Sequence, residues 1–126
     1  FRLLFNEDLE KINLRLYEIL GETDMLITDY SSVYFDYLLT NNPIIFLPTD
    51  IEEYKKKRNF LLEPYDFWTP GPKCYNQEQF HREIKKSLNE KRYYQEERKV
   101  IKEITHKYHD GESSKRVAEF IPNRIK

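Results

Sequence analysis

The sequence predicts an α/β domain, a small parallel sheet with flanking helices, and three observations carry that expectation. Two short apolar runs, Met25-Leu26-Ile27-Thr28 and Pro43-Ile44-Ile45-Phe46-Leu47, are continuous rather than alternating, the pattern of strands covered on both faces. A helix-length segment, Ser31 to Leu39, separates them, so the three read together as a βαβ unit. Helical spacing of apolar residues then dominates the C-terminal half.

The elements follow in order. Leu9, Ile12, Leu16, Ile19 and Leu20 recur at helical spacing behind Asp8, which suits a cap, and Gly21 closes that helix. After the first strand and the Ser31–Leu39 helix, Asn41-Asn42-Pro43 stops the chain, because the residue before a proline avoids helical geometry. Pro48 closes the second strand, and Ile51 to Arg58 reads as a short basic helix. Asn59 to Tyr75 is an aromatic loop punctuated by prolines; its length marks it as a candidate functional segment. Phe80, Ile84 and Leu88 mark a further helix, and Tyr93, Val100, Ile101, Ile104 and Tyr108 another with one apolar face. The last helix, Ser113 to Ile121, is expected to turn Val117, Phe120 and Ile121 inward.

Composition narrows the class. The 126 residues make room for one domain, residues 1–126, and one core. A mean hydropathy of −0.83 indicates a polar surface, and 15% aromatic content argues against disorder. A net charge of −1 supplies no basic field for nucleic acid. Cys74, alone, allows no internal disulfide and fits a reducing compartment. No apolar run approaches the ~20 residues of a membrane span, and no signal peptide is evident. The chain opens on FRLLF without Met and reads as a piece of something longer.

Two stretches carry the chemistry. In ITDYSSVYFDYL, Asp29, Ser31 and Ser32 fall where a strand hands over to a helix, a place where a chain can hold a phosphate. Serine also caps helices, so plain capping by Ser31 or Ser32 competes with an anion site. In YHDGESSKRVAEFI, Gly111 suits a tight turn, and Ser113 or Ser114 again heads a helix, now with Lys115 and Arg116 in its first turn. In an open α/β sheet, ligands lie beyond the carboxyl ends of the strands, where Asp29 to Ser32 sits.

Other chemistries fail on spacing. Ser31-Ser32 has no Gly-x-Ser-x-Gly elbow, and neither the P-loop nor the dinucleotide glycine fingerprint occurs. His106 and His109 share a helix face but lack a Cys or carboxylate set at metal-ligand spacing; His81 reads as a surface residue. Trp68, with Tyr65 and Phe67, either stacks on a base or pins the loop to the core.

ITDYSSVYFDYL, then NNPIIFLPTDIEEYKKKRNF, a Pro-Gly-Pro triplet and YHDGESSKRVAEFI, in that order and spacing, resemble the C-terminal region of the CDP-glycerol glycerophosphotransferase family. The resemblance runs from about Glu22 to Ile121. It implies one Rossmann-like half of a GT-B fold, the donor-binding C-terminal domain of an enzyme of teichoic acid or related polymer synthesis. It further implies a CDP-glycerol or CDP-polyol donor and a lipid-linked polyol-phosphate acceptor; no cofactor and no metal are expected. The location implied is cytoplasmic, peripheral at the inner face of the cell membrane. Carried over by position, Asp29, Ser31 and Ser32 face the donor diphosphate, and Arg58 is the basic position before Phe60. Pro70, Gly71 and Pro72 form the loop over the donor, and His109, Asp110, Gly111 and Ser114 the C-terminal turn. Where the family carries acidic residues before that triplet, this chain has Phe67, Trp68 and Thr69, which leaves Asp66 as a displaced counterpart. The catalytic base belongs to an N-terminal domain outside this sequence, so the fragment alone should catalyse nothing. A GT-B glycosyltransferase using a sugar nucleotide stays open, as does a non-catalytic interaction module with Lys55, Lys56 and Lys57 touching anionic lipid.

Overall fold

The structure, a computed structural model, describes residues 3–58 and 62–121, without the side chains of Asn6 and Arg58. Its order is α1 (Asn6–Lys11), α2 (Leu16–Gly21), β1 (Leu26–Thr28), α3 (Val33–Tyr37) running into a 3-10 turn (Leu38–Thr40), and β2 (Ile44–Phe46). Then come α4 (Ile51–Arg58), α5 (Tyr65–Trp68), α6 (Gln77–Asn89), α7 (Gln95–Thr105) and α8 (Ser113–Phe120).

The βαβ unit forms as the apolar runs require. β1 and β2 are parallel, with Leu26, Ile27 and Thr28 beside Ile44, Ile45 and Phe46. The Leu26 N–H donates to Pro43 O at 3.0 Å and the Leu47 N–H to Thr28 O at 2.8 Å. Only β2 is covered on both faces, its three residues being buried. β1 is the edge of the pair, and Ile27 is 43% exposed.

The loop that follows α5 is not structureless. Residues 72–74 lie along the free edge of β2: the Phe46 N–H donates to Pro72 O at 2.9 Å, and the Cys74 N–H to Phe46 O at 2.8 Å. Gly71 makes this approach possible. A Cβ there would stand 2.1 Å from the Ile44 carbonyl oxygen, so any larger residue would push the segment off β2.

Tyr34, Tyr37, Leu38, Ile44, Phe46 and Ile101 form the core, with Leu20, Leu26, Phe35 and Trp68 packed around it. Tyr37 is anchored at its far end, its hydroxyl donating to Thr23 O at 2.9 Å. Trp68 therefore pins its loop to the core.

Four expectations need correction. The first helix is split, because Asn13 takes left-handed geometry (φ 52°) between α1 and α2. Asp8 sits within the first turn of α1 and accepts the Phe5 N–H at 3.1 Å. On α7, the inward residues are Ile101 and Arg98, whereas Val100 and Ile104 are 45% and 52% exposed. On α8, Val117, Phe120 and Ile121 are 57%, 59% and 47% exposed, not inward.

Candidate functional site

β1 ends at Thr28, and the next four residues make a compact turn. Asp29 Oδ1 accepts the Ser31 N–H at 3.0 Å, a local bond that an aspartate two residues before an amide makes readily. Asp29 thus shapes the turn through its own carboxylate. Ser32 stands at the N-cap of α3, already helical (φ −65°, ψ −9°), and its side chain makes no capping bond. Ser31 and Ser32 are both exposed. Plain capping by Ser32 is not what the structure contains.

Tyr30 locks the turn to the rest of the molecule. Its hydroxyl donates to Asp50 Oδ1 at 2.9 Å, and its ring stacks on Tyr54 with centroids 4.2 Å apart. The Tyr65 ring lies 6.3 Å away, tilted, so α4 and α5 meet the turn through one aromatic cluster. Burial, then the hydrogen bond to the Asp50 carboxylate, pushes the Tyr30 phenol well above its ordinary value, which keeps it a neutral donor. Sequence reasoning missed Tyr30 as an organiser. The available signal was the Asp50-x-x-x-Tyr54 spacing, which turns out to be the receiving half of this cluster.

Beside the cluster, Asp66 opens onto a cleft of about 520 Å³ whose walls include Glu52, Lys55, Glu63 and Tyr75. Asp66 is 84% exposed at its side chain and lies 3.7 Å from Lys73 Nζ. That ammonium also donates to Thr69 O at 2.6 Å. Burial lowers the Lys73 pKa, and the Asp66 carboxylate pulls in the opposite direction. Gly71 is buried against β2, as described above. Arg58 closes α4; its side chain and Phe60, two residues on, lie outside the described residues.

The C-terminal turn attaches to α3. His106 Nε2 lies 2.7 Å from the Phe35 carbonyl oxygen, one helical turn beyond Ser32. His109 Nδ1 is 3.3 Å from His106 O, and the His109 ring borders a separate cleft of about 710 Å³ along α7, with Asn41, Lys99 and Lys102. Asp110 Oδ1 accepts the Glu112 N–H at 3.1 Å, and its other oxygen pairs with the Arg116 guanidinium. The bond from Arg116 and then the Glu112 N–H hold the Asp110 carboxyl below the usual carboxylate range. Gly111 takes a left-handed φ of 77°, the conformation a side chain would strain. Glu112, not a serine, is the N-cap of α8; Ser113 is its first residue and Ser114 its exposed second. Lys115 lies 3.4 Å from Glu112, so both first-turn cations of α8 face acids of their own turn.

The structure brings Asp29, Ser31, Ser32 and Asp66 to one end of the sheet through Tyr30, Tyr54 and Tyr65. It joins the Asp110-Gly111 turn to α3 through His106, and leaves His109 in a cleft of its own. No helix among the described residues is long and apolar enough to cross a membrane.

Comparison with known proteins extends this geometry. The family described as CDP-Glycerol:Poly(glycerophosphate) glycerophosphotransferase matches residues 7–123. A teichoic acid glycerol-phosphate primase of Bacillus subtilis is 38% identical over 113 residues, covering 90% of this chain and 28% of the primase. A teichoic acid poly(ribitol-phosphate) polymerase of Bacillus spizizenii is 40% identical over 107 residues, covering 82% of this chain and 16% of the polymerase. A ribitol-phosphate primase of the same species is 36% identical, covering 84% of this chain and 26% of the primase. The chain therefore spans little more than a quarter, at most, of these relatives.

Proposed function

The chain belongs to the CDP-glycerol:poly(glycerophosphate) glycerophosphotransferase family, and from that premise we propose that it is the donor-nucleotide-binding domain of a polyol-phosphate transferase. The full-length protein would act in teichoic acid or related cell-surface polymer synthesis, taking CDP-glycerol or another CDP-polyol and a lipid-linked polyol-phosphate acceptor. The domain would be one Rossmann-like half of a GT-B arrangement, at the inner face of the cell membrane. Its missing partner domain would supply the catalytic base.

One observation carries the reading. The turn after β1 is held by Asp29 and Tyr30, while Ser31 and Ser32 remain exposed and Ser32 makes no capping bond. Two hydroxyls beyond the carboxyl end of a parallel strand suit diphosphate oxygens. In the reaction, an acceptor hydroxyl oxygen bonds to the β-phosphorus of the donor, and the bond from that phosphorus to the bridging oxygen breaks. CMP leaves, and the hydroxyl proton passes to the base. The protein's tasks are alignment and neutralisation of charge on the diphosphate. Ser31 and Ser32 would meet that charge, and Arg58 would add a cation at the end of α4. Asp29 orients the turn rather than touching phosphate, since like charges repel. Asp66, Gly71 and the His109–Ser114 segment would line or support the same donor.

The test is a titration of the full-length protein, selectively labelled so that the Ser31 and Ser32 amides are resolved. CDP should shift both saturably and at lower concentration than UDP. Movement of scattered surface signals only, or equal response to UDP, would remove the reading.

A further inference from the structure

Lys73 follows the Pro70-Gly71-Pro72 triplet, and its backbone is pinned to the sheet. The Phe46 N–H donates to Pro72 O and the Cys74 N–H to Phe46 O, which sets Lys73 beside Phe46 in parallel register. A lysine ordinarily keeps its ammonium in water, because taking the charge out of water is costly. Here the side chain is only 12% exposed. Its ammonium lies 5.9 Å from the Phe46 ring centre and 6.0 Å from that of Tyr94, the outer limit of a cation–π contact. The rings alone do not account for a cation held there.

Its oxygen partners all lie in residues 66–69. Lys73 Nζ donates to Thr69 O at 2.6 Å and to Asp66 O at 3.3 Å, and it lies 3.7 Å from Asp66 Oδ1. Three oxygens around one nitrogen match the three donors of an ammonium. α5 has four residues, too few to hold its place by its own hydrogen bonds. A cation at its C-terminal end satisfies carbonyls left without helical partners and opposes the dipole. Trp68 fixes α5 from the core side. Lys73 fixes the backbone of Asp66 itself and ties it to the edge of β2.

Asp66 is where this tie reaches the cleft. Its side chain is 84% exposed and borders the cleft with Tyr65 and Tyr75. A carboxylate turning freely in water would be repelled by a diphosphate. One held by an ammonium at its carbonyl and near its carboxylate keeps a set place, with part of its charge offset. Such a group can accept a bond from a neutral hydroxyl or amino group of a bound molecule.

We propose that Lys73 is a positioning residue of the donor site, holding Asp66 at the cleft through the Asp66 and Thr69 carbonyls and the Asp66 carboxylate. The proposal rests on the donor-site reading and adds to it a residue that need not touch the donor. The experiment measures KM and kcat for CMP release from CDP-glycerol in the full-length protein, beside thermal unfolding. Lys73→Met keeps the stem and removes the charge; it should raise KM roughly 10-fold with kcat per folded enzyme little changed. Asp66→Asn, at an exposed position that folding does not depend on, should raise KM in the same direction. The double variant should cost no more than Lys73→Met alone, because both act through one group. A Lys73→Met protein that melts earlier with KM unchanged would reduce Lys73 to a structural brace and overturn the proposal. Unchanged KM in Asp66→Asn, or additive effects in the double variant, would overturn it too. The Ser31→Ala, Ser32→Ala variant run beside these separates the two readings. If it loses turnover while Asp66→Asn keeps its KM, only the role of Lys73 falls. If it keeps turnover, the donor-site reading falls and takes this one with it.

Discussion

Asp110 shows how much of the C-terminal turn is held by one carboxylate. It takes the Glu112 N–H on one oxygen and the Arg116 guanidinium on the other, across the left-handed Gly111. A carboxyl with these partners is depressed in the folded state relative to the unfolded chain. Its contribution is therefore present above the ordinary carboxylate value, about pH 4, and is lost as pH falls through the lower folded value. A carboxyl-carbon titration should place the Asp110 midpoint below that value. Arg116→Gln should raise it, with a residual depression left by the Glu112 N–H. An unchanged midpoint in Arg116→Gln would show that the pair does not form. The same residue-level logic explains why the Asp29 turn was legible: an aspartate bonding an amide two positions on is a local event, written in adjacent letters. Tyr30 was not legible in that way, because its partners Asp50 and Tyr54 lie about twenty residues on.

At the scale of elements, the chain's apolar runs located β1, α3 and β2, although only β2 is buried along its whole length and β1 is a partly exposed edge. The loop at 71–74 was missed as a sheet edge since Pro70-Gly71-Pro72 carries no strand period at all. Its place depends on the close approach that Gly71 permits. Gly71→Ala should therefore cost about 1–3 kcal/mol in urea unfolding, the usual penalty for overpacking a filled site. Gly21 is the control. It ends α2 with nothing within 4 Å of a Cβ, so Gly21→Ala should be neutral or stabilising by about 0.4–1 kcal/mol. Equal effects from the two would mean that the 71–74 edge contributes nothing. The misread faces of α7 and α8 have a common cause. Helical spacing states that an apolar face exists, whereas burial requires an element opposite it. On α8 the predicted apolar face is there in sequence, yet Val117, Phe120 and Ile121 remain about half exposed.

For the whole molecule, family membership is what the sequence disclosed most fully, because the spacing of its motifs survives where individual contacts do not. The chain spans little more than a quarter, at most, of the relatives it matches. The central claim is that Ser31 and Ser32 serve the donor diphosphate rather than the helix. The double variant Ser31→Ala, Ser32→Ala separates the two directly, by CMP release from CDP-glycerol measured beside thermal unfolding. A capping pair would lose about 1 kcal/mol of stability and keep its turnover. Because Ser32 makes no capping bond, the account predicts almost no change in melting temperature together with a fall in turnover of roughly 10²-fold or more. Early melting with normal turnover would contradict it.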